Sequence, residues 1–324
     1  MISFEYFKRL TAAACATVAC SAQAQGNVTV YGLLDLALVK QSGGRATSVD
    51  RGSNNRIGFR GTEDLGDGLR ATFHLQHRFR PDTGAVERAP VFWQGESTVG
   101  LARDGWGSLR LGRATTAMWQ KNWAFEPWGA SGFNASLGAF QLGNYTFSSD
   151  GTNDAAMGSA NFARSPNAVF YNSPNFAGFS VAVSGQVEKD AGAKSRNTSV
   201  SFNYDQGPLS VMLSGEQNTD EDVMGFVAAS YAIGPLKLMG SYAHIEHDGA
   251  GDESSYVVAA TYNLATGTVR GGYGRDSDVG AWKTSFGYVH PLSKRTSLYA
   301  DLWRQKSATS DAFNGLALGM SHSF

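Results

Sequence analysis

Arginines recur in this chain at positions set by a period of two. Arg56 and Arg60 flank Ile57, Gly58 and Phe59; Arg70, His74, Gln76 and Arg78 alternate with Phe73 and Leu75; Arg110 sits between Leu109 and Leu111, and Arg113 follows. A period of two marks a strand, because successive side chains point to opposite faces. If the large apolar residues take one face, Arg56, Arg60, Arg78 and Arg110 take the other, with Arg113 at the strand's end. A guanidinium stays protonated at any physiological pH and offers a planar fork of donors. Several on one wall attract anions and are poorly suited to proton transfer. Other chemistries find less support. The histidines include the pairs His74/His77 and His244/His247, but an odd spacing on a strand puts the two rings on opposite faces, so neither pair makes a metal site. Gly271-Gly272-Tyr273-Gly274 is followed by no helical pattern and is no phosphate loop. No catalytic constellation, metal or cofactor is expected.

The elements that would carry these arginines are strands throughout. In the last ten residues, Leu316, Leu318, Met320, His322 and Phe324 alternate with Gly315, Ala317, Gly319, Ser321 and Ser323. Such a strand, greasy on one face and ending the chain on an aromatic, fits the closing strand of a transmembrane β-barrel. Tight-turn signals stand at Gly66-Asp67-Gly68, Asp104–Gly107, Asn175–Gly178, Asp205–Pro208, Ile233-Gly234-Pro235, Ala265-Thr266-Gly267 and Pro291–Lys294. These seven hairpin turns supply fourteen strands, and the first and last make sixteen. The fold class expected is all-β, a sixteen-stranded antiparallel barrel. The strands alternate as this requires: Phe179, Val181 and Val183 oppose Ser180, Ala182 and Ser184, while Trp282, Phe286 and Tyr288 oppose Lys283, Ser285 and Gly287. The second face is too small and polar to fill a dry core, and a watery lumen tolerates it.

The start of the chain sets the compartment. Lys8 and Arg9 precede an apolar run to Ala19, and Ala22-Gln23-Ala24 is a small-x-small cleavage site, so residues 1–24 read as a signal peptide and 25–324 as the mature barrel. Both cysteines, Cys15 and Cys20, fall in that leader, leaving no disulfide framework. Removing Glu5, Lys8 and Arg9 from the 27 basic and 28 acidic residues leaves a net charge of −2, which argues against nucleic acid as a partner. After the leader no apolar run approaches the roughly 18 residues of a membrane helix, so membrane insertion must use strands.

One interval breaks the rhythm. Between the turns near residues 105 and 176 lies an aperiodic insertion, about 114–166. A loop of this length in a compact protein is usually functional, and in a wide barrel it has room to fold inward as a constriction. Its acids are few, Glu126, Asp150 and Asp154, offset by Lys121 and Arg164. Glu126, beside Pro127 and Trp128, is the expected acidic side of the constriction, facing the arginine wall.

Three segments resemble one family. Val28-Thr29-Val30-Tyr31-Gly32-Leu33-Leu34-Asp35, Asn55-Arg56-Ile57-Gly58-Phe59-Arg60-Gly61-Thr62-Glu63-Asp64-Leu65-Gly66 and Gly107-Ser108-Leu109-Arg110-Leu111-Gly112-Arg113 resemble strands of the trimeric general porins of Gram-negative bacteria, particularly the β-proteobacterial group. The resemblance runs from about Val28 to Phe324. It implies a homotrimer in the cell outer membrane, in contact with lipid and lipopolysaccharide, through which small hydrophilic solutes and ions diffuse passively. It also implies that Phe324 is the assembly signal read by the outer-membrane insertion machinery, and that a transverse field crosses the constriction. The excess of inward arginines gives the expectation of weak anion preference. Two other readings stay open: a substrate-specific channel, with Trp119, Trp123, Phe125 and Trp128 as a stacking track, and a barrel enzyme, for which His74 lacks a serine partner.

Overall fold

The computed structural model describes residues 27–88, 91–143, 145, 163–249 and 251–324, so the leader lies outside the described residues. Seventeen strand segments are described among them. In chain order they are β1 (Asn27–Gln41), β2 (Ser48–Arg51), β3 (Arg56–Gly66), β4 (Leu69–Arg78), β5 (Glu96–Arg103), β6 (Gly107–Thr115), β7 (Arg164–Asn172), β8 (Phe179–Gln186) and β9 (Thr198–Gln206). There follow β10 (Leu209–Gln217), β11 (Val223–Ile233), β12 (Leu236–His247), β13 (Gly251–Leu264), β14 (Gly267–Asp276), β15 (Trp282–Pro291), β16 (Thr296–Lys306) and β17 (Phe313–Ser323). All pair antiparallel with their neighbours, and β17 returns to β1 in a register running from Leu33↔Ser323 to Gln41↔Gly315. Two backbone bonds extend that seam to the end of the chain: Gly32 N–H to Phe324 O at 3.0 Å and Phe324 N–H to Gly32 O at 3.1 Å. The sheet is closed, so no strand edge is left to face lipid.

The seventeen segments make sixteen staves. Both β2 and β3 pair with β1, through Leu36↔Arg51 and Leu33↔Arg56, and form one stave broken at residues 52–55. At the break the Asn55 carboxamide accepts from the Asp35 N–H and donates to the Asp35 carbonyl. A side chain there replaces the backbone partner β1 would otherwise lose. The seven hairpins expected from the turn residues are all present, at the end where both termini lie.

Residues opposite each other in an antiparallel pair share a face. Val30 faces Phe59, Leu38 faces Leu318, and Val99 faces Leu111. These side chains form an exposed apolar belt around the outside, with Leu38 57% and Leu318 52% exposed. The opposite face holds Ser199, Ser201, Ser255 and Ser285, all buried. An apolar outer wall with its backbone bonds satisfied between strands is what a bilayer demands of a spanning sheet.

The long insertion enters the barrel. A bulge between Gly112 and Ala114 shifts the register of β6 against β7, and Ala114 and Thr115 still pair with Ser165 and Arg164. The loop therefore spans 116–163, slightly less than the 114–166 expected. At the bulge Gly112 adopts φ +129°, and a Cβ there would overlap the Ser97 carbonyl, so the position needs glycine. Beyond it, among the described residues, the loop carries two short 3-10 turns, Asn122–Phe125 and Gly138–Gln141.

Candidate functional site: the constriction

The loop is fastened to one half of the barrel, leaving the arginine wall opposite. Met118, Phe125 and Leu142 pack on Met212, Met224 and Ile245 from β10–β12. Trp128, Leu137 and Phe140 pack on Ala37, Val257 and Trp303 from β1, β13 and β16. Polar ties close the remaining gaps. The backbone N–H groups of Ala117 and Met118 donate to Ser184 Oγ at 2.9 Å and Ser199 Oγ at 3.0 Å. The Trp128 indole N–H donates to Asp301 at 3.1 Å, and Arg270 binds the same carboxylate at 2.8 and 2.9 Å while donating to the Pro127 carbonyl. Lys237 and Lys283 donate to the loop carbonyls of Ala124 and Asn134. The small inward serines thus supply acceptors for a docked loop, beyond lining water.

Glu126 is placed otherwise than as the acid of the constriction. It is 3% exposed, and both carboxylate oxygens are engaged within the loop. The N–H groups of Ala130 (3.1 Å) and Leu137 (3.2 Å) and the Ser136 hydroxyl donate to Oε1, and the Trp128 N–H donates to Oε2. Burial pushes its pKa up against these donors. Its physical role is a knot joining residues 126–130 to 136–137, with no oxygen free to face a passing ion.

On the other side, Arg56, Arg78 and Arg164 line a cavity of about 370 Å³ together with Trp119, Trp123 and Trp128 of the loop. No carboxylate lines it among the described residues. Arg51, Arg88 and Arg113 lie close by, each within electrostatic reach of one or more of the others. Among the described residues, the carboxylate buried between these arginines is Glu87, on the 79–95 loop, 2.7 Å from Arg51 and 3.7 Å from Arg78, while Asp50 and Asp82 lie within electrostatic reach of Arg51. Burial raises the Glu87 pKa, but Arg78, Arg88, Arg51 and Arg164 outweigh it and hold the carboxyl below its usual range. The Arg51 guanidinium also lies 4.0 Å over the Phe133 ring of the loop, so the basic cluster touches both sides of the passage.

Arg60 and Arg110 line a second cavity, about 470 Å³, nearer the turns that carry the termini. There Glu96 binds both Arg110 and the His74 Nδ1, the latter at 2.9 Å. His74 Nε2 meets the Tyr31 hydroxyl, and Arg60 stacks 5.3 Å over the Tyr31 ring. Arg60 is paired with His74, so the two share a face, and both line this cavity. His77 turns outward and stacks on Phe92 at 4.2 Å.

Of the five arginines expected at the constriction, Arg56 and Arg78 line the cavity beside the loop, and Arg60 and Arg110 line the second cavity. Arg113 is buried, its Nε 3.4 Å from the Gln94 carbonyl. It was expected at the strand's end, and the register shift between Gly112 and Ala114 falls at this residue. Arg164 takes a place beside Arg78 that the sequence assigned only as an offsetting charge. Its signal was available: it immediately precedes the alternating run of β7, where a residue paired with Thr115 had to stand at the loop's root. Trp123, 53% exposed on the first 3-10 turn, offers the cavity an open aromatic face.

Comparison with known proteins agrees with this architecture. The profile of the Gram-negative porin family matches residues 11–310. An outer membrane porin protein of Bordetella pertussis is 29% identical over 90% of this chain and 92% of its own length. Outer membrane porin protein 32 of Delftia acidovorans is 31% identical over 91% of this chain and 88% of its own. Among solved structures, an anion-selective porin from Comamonas acidovorans superimposes with a TM-score of 0.76 at 26% identity, covering 93% of this chain and all of that one.

Proposed function

Because this chain belongs to the Gram-negative porin family, an outer-membrane β-barrel whose lumen serves passive diffusion, we propose that its channel passes small anions in preference to cations. The observation that carries this is the cavity lined by Arg56, Arg78 and Arg164 with no carboxylate among its described lining residues. Charge rings in a pore of low effective dielectric set the sign of the favoured ion. The likeness to a solved porin described as anion-selective supports the same sign.

The constriction residues in this reading are Arg56, Arg78 and Arg164, with Arg60 and Arg110 extending the positive path and Arg113 and Glu126 holding the structure around it. The chain acts as a channel. It is exported with residues 1–24 as its signal peptide, inserted through its C-terminal Phe324 by the outer-membrane machinery, and assembled as a homotrimer in contact with lipid and lipopolysaccharide. Purified protein in planar bilayers under a potassium chloride gradient tests the ion preference: a reversal potential on the chloride side supports it, and one on the potassium side refutes it.

A further inference from the structure

We propose that the constriction favours planar aromatic carboxylates over aliphatic carboxylates of the same size and charge. The inference rests on the anion-channel reading and names a solute class for the same passage. Three facts carry it. First, the cavity sets a guanidinium wall, Arg56, Arg78 and Arg164, against Trp123 on the loop. Second, Trp123 is free to receive a ring: it is 53% exposed, and its indole N–H is taken by the Gln120 carbonyl at 2.8 Å, which fixes the ring's edge and leaves a face open. Third, the other tryptophans at the cavity are committed elsewhere. Trp119 is packed in the apolar cluster under the loop, and Trp128 is held by Asp301 and covered by Arg270 at 4.9 Å.

A carboxylate pairs with a guanidinium through two parallel N–H···O bonds. A benzoate-type anion so held projects its ring away from the arginine wall, toward the loop. Offset or edge-to-face contact with Trp123 then adds an attraction that a saturated ring cannot make, beyond shared apolar burial. The increment corresponds to a preference of about two- to tenfold, modest enough for the solute to leave as well as enter. At solute concentrations below saturation it raises flux, and it lengthens the interruptions that the solute makes in a chloride current.

The test compares benzoate with cyclohexanecarboxylate, matched in charge and near-matched in size. In bilayers carrying a chloride current, benzoate is expected to block with a residence time about two- to tenfold longer, and in proteoliposomes at low concentration to permeate faster by a similar ratio. W123L is expected to bring both ratios to one, W123F to keep part of the preference, and W106L, on the exposed turn between β5 and β6 and lining neither cavity, to leave the ratio as in the parent. Equal behaviour of the two acids in a parent channel that conducts chloride overturns the inference and leaves the anion-channel reading standing. Cation preference in the parent overturns both. A W123L channel that conducts and retains the full benzoate ratio also overturns the inference, because it removes Trp123 as the cause.

Discussion

Replacing Glu126 by glutamine separates two roles that the sequence alone conflates. As the acid of the constriction, Glu126 would contribute one negative charge to the field across the passage, and its loss would raise anion preference. As a knot inside the loop, its loss loosens the loop. In the structure Oε1 receives three donors and Oε2 one. Glutamine keeps an oxygen for the three but turns an NH2 toward the Trp128 N–H. One buried donor is then left without an acceptor, at about 1–3 kcal/mol, and the other bonds lose the strengthening that an ionised acceptor gives. Against this, burial already penalises the carboxylate, and the neutral amide escapes that cost. The net loss is about 2 kcal/mol, or roughly a thirtyfold shift toward the undocked loop. The strand ladder makes no use of Glu126, so the barrel stays intact. Single-channel recording of E126Q should show current fluctuations between substates and a higher mean conductance, with heat-modifiable migration on gels as in the parent. Quiet channels of parental conductance with a changed reversal potential would refute the knot and restore the charge role.

Three other outcomes follow from the same contacts. Glu87 is held below the usual carboxylate range, so the stability it lends the 79–95 loop is present above its ordinary value and lost as pH falls through the depressed one; protease cleavage within that loop should rise only under acid, and E87Q should show it at neutral pH. Gly112→Ala forces a side chain onto the Ser97 carbonyl at a positive φ, and should cost about 1–3 kcal/mol in urea unfolding, read as a lower midpoint. Deleting Phe324 removes the two backbone bonds to Gly32 and the ring that covers it; the yield of folded protein in outer membranes should fall, and a normal yield would count against an assembly role.

The parts of this molecule legible in the sequence are those set by local rules. Turn residues and a period of two need no knowledge of distant contacts, so the hairpins, the outward face and the pairing of the last strand with the first could be read directly. Where the period fails, the reading fails with it. The bulge at Gly112 buries Arg113, and the break at residues 52–55 depends on Asn55 imitating a strand for Asp35 twenty positions away in the chain. Glu126 was misplaced for a related reason: its partners at Ser136 and Leu137 are fixed by how the loop turns back on itself, which no spacing announces. Arg164 and Trp123 meet across the cavity only after the loop has folded inward.

The central claim is that the arginine wall sets the selectivity of the passage. In water, a unit charge about 5 Å from a passing anion contributes about 0.8 kcal/mol, and about 3 kcal/mol at the effective dielectric near 20 of a partly buried site. The direct measurement is the reversal potential of the parent and of R56Q/R78Q under potassium chloride gradients at low and high mean salt. The parent should favour chloride, the double variant should lose at least about tenfold of that preference, and the difference should shrink toward 1 M salt, where the screening length falls to about 3 Å. A parent that favours potassium, or a double variant indistinguishable from the parent at low salt, would contradict the account.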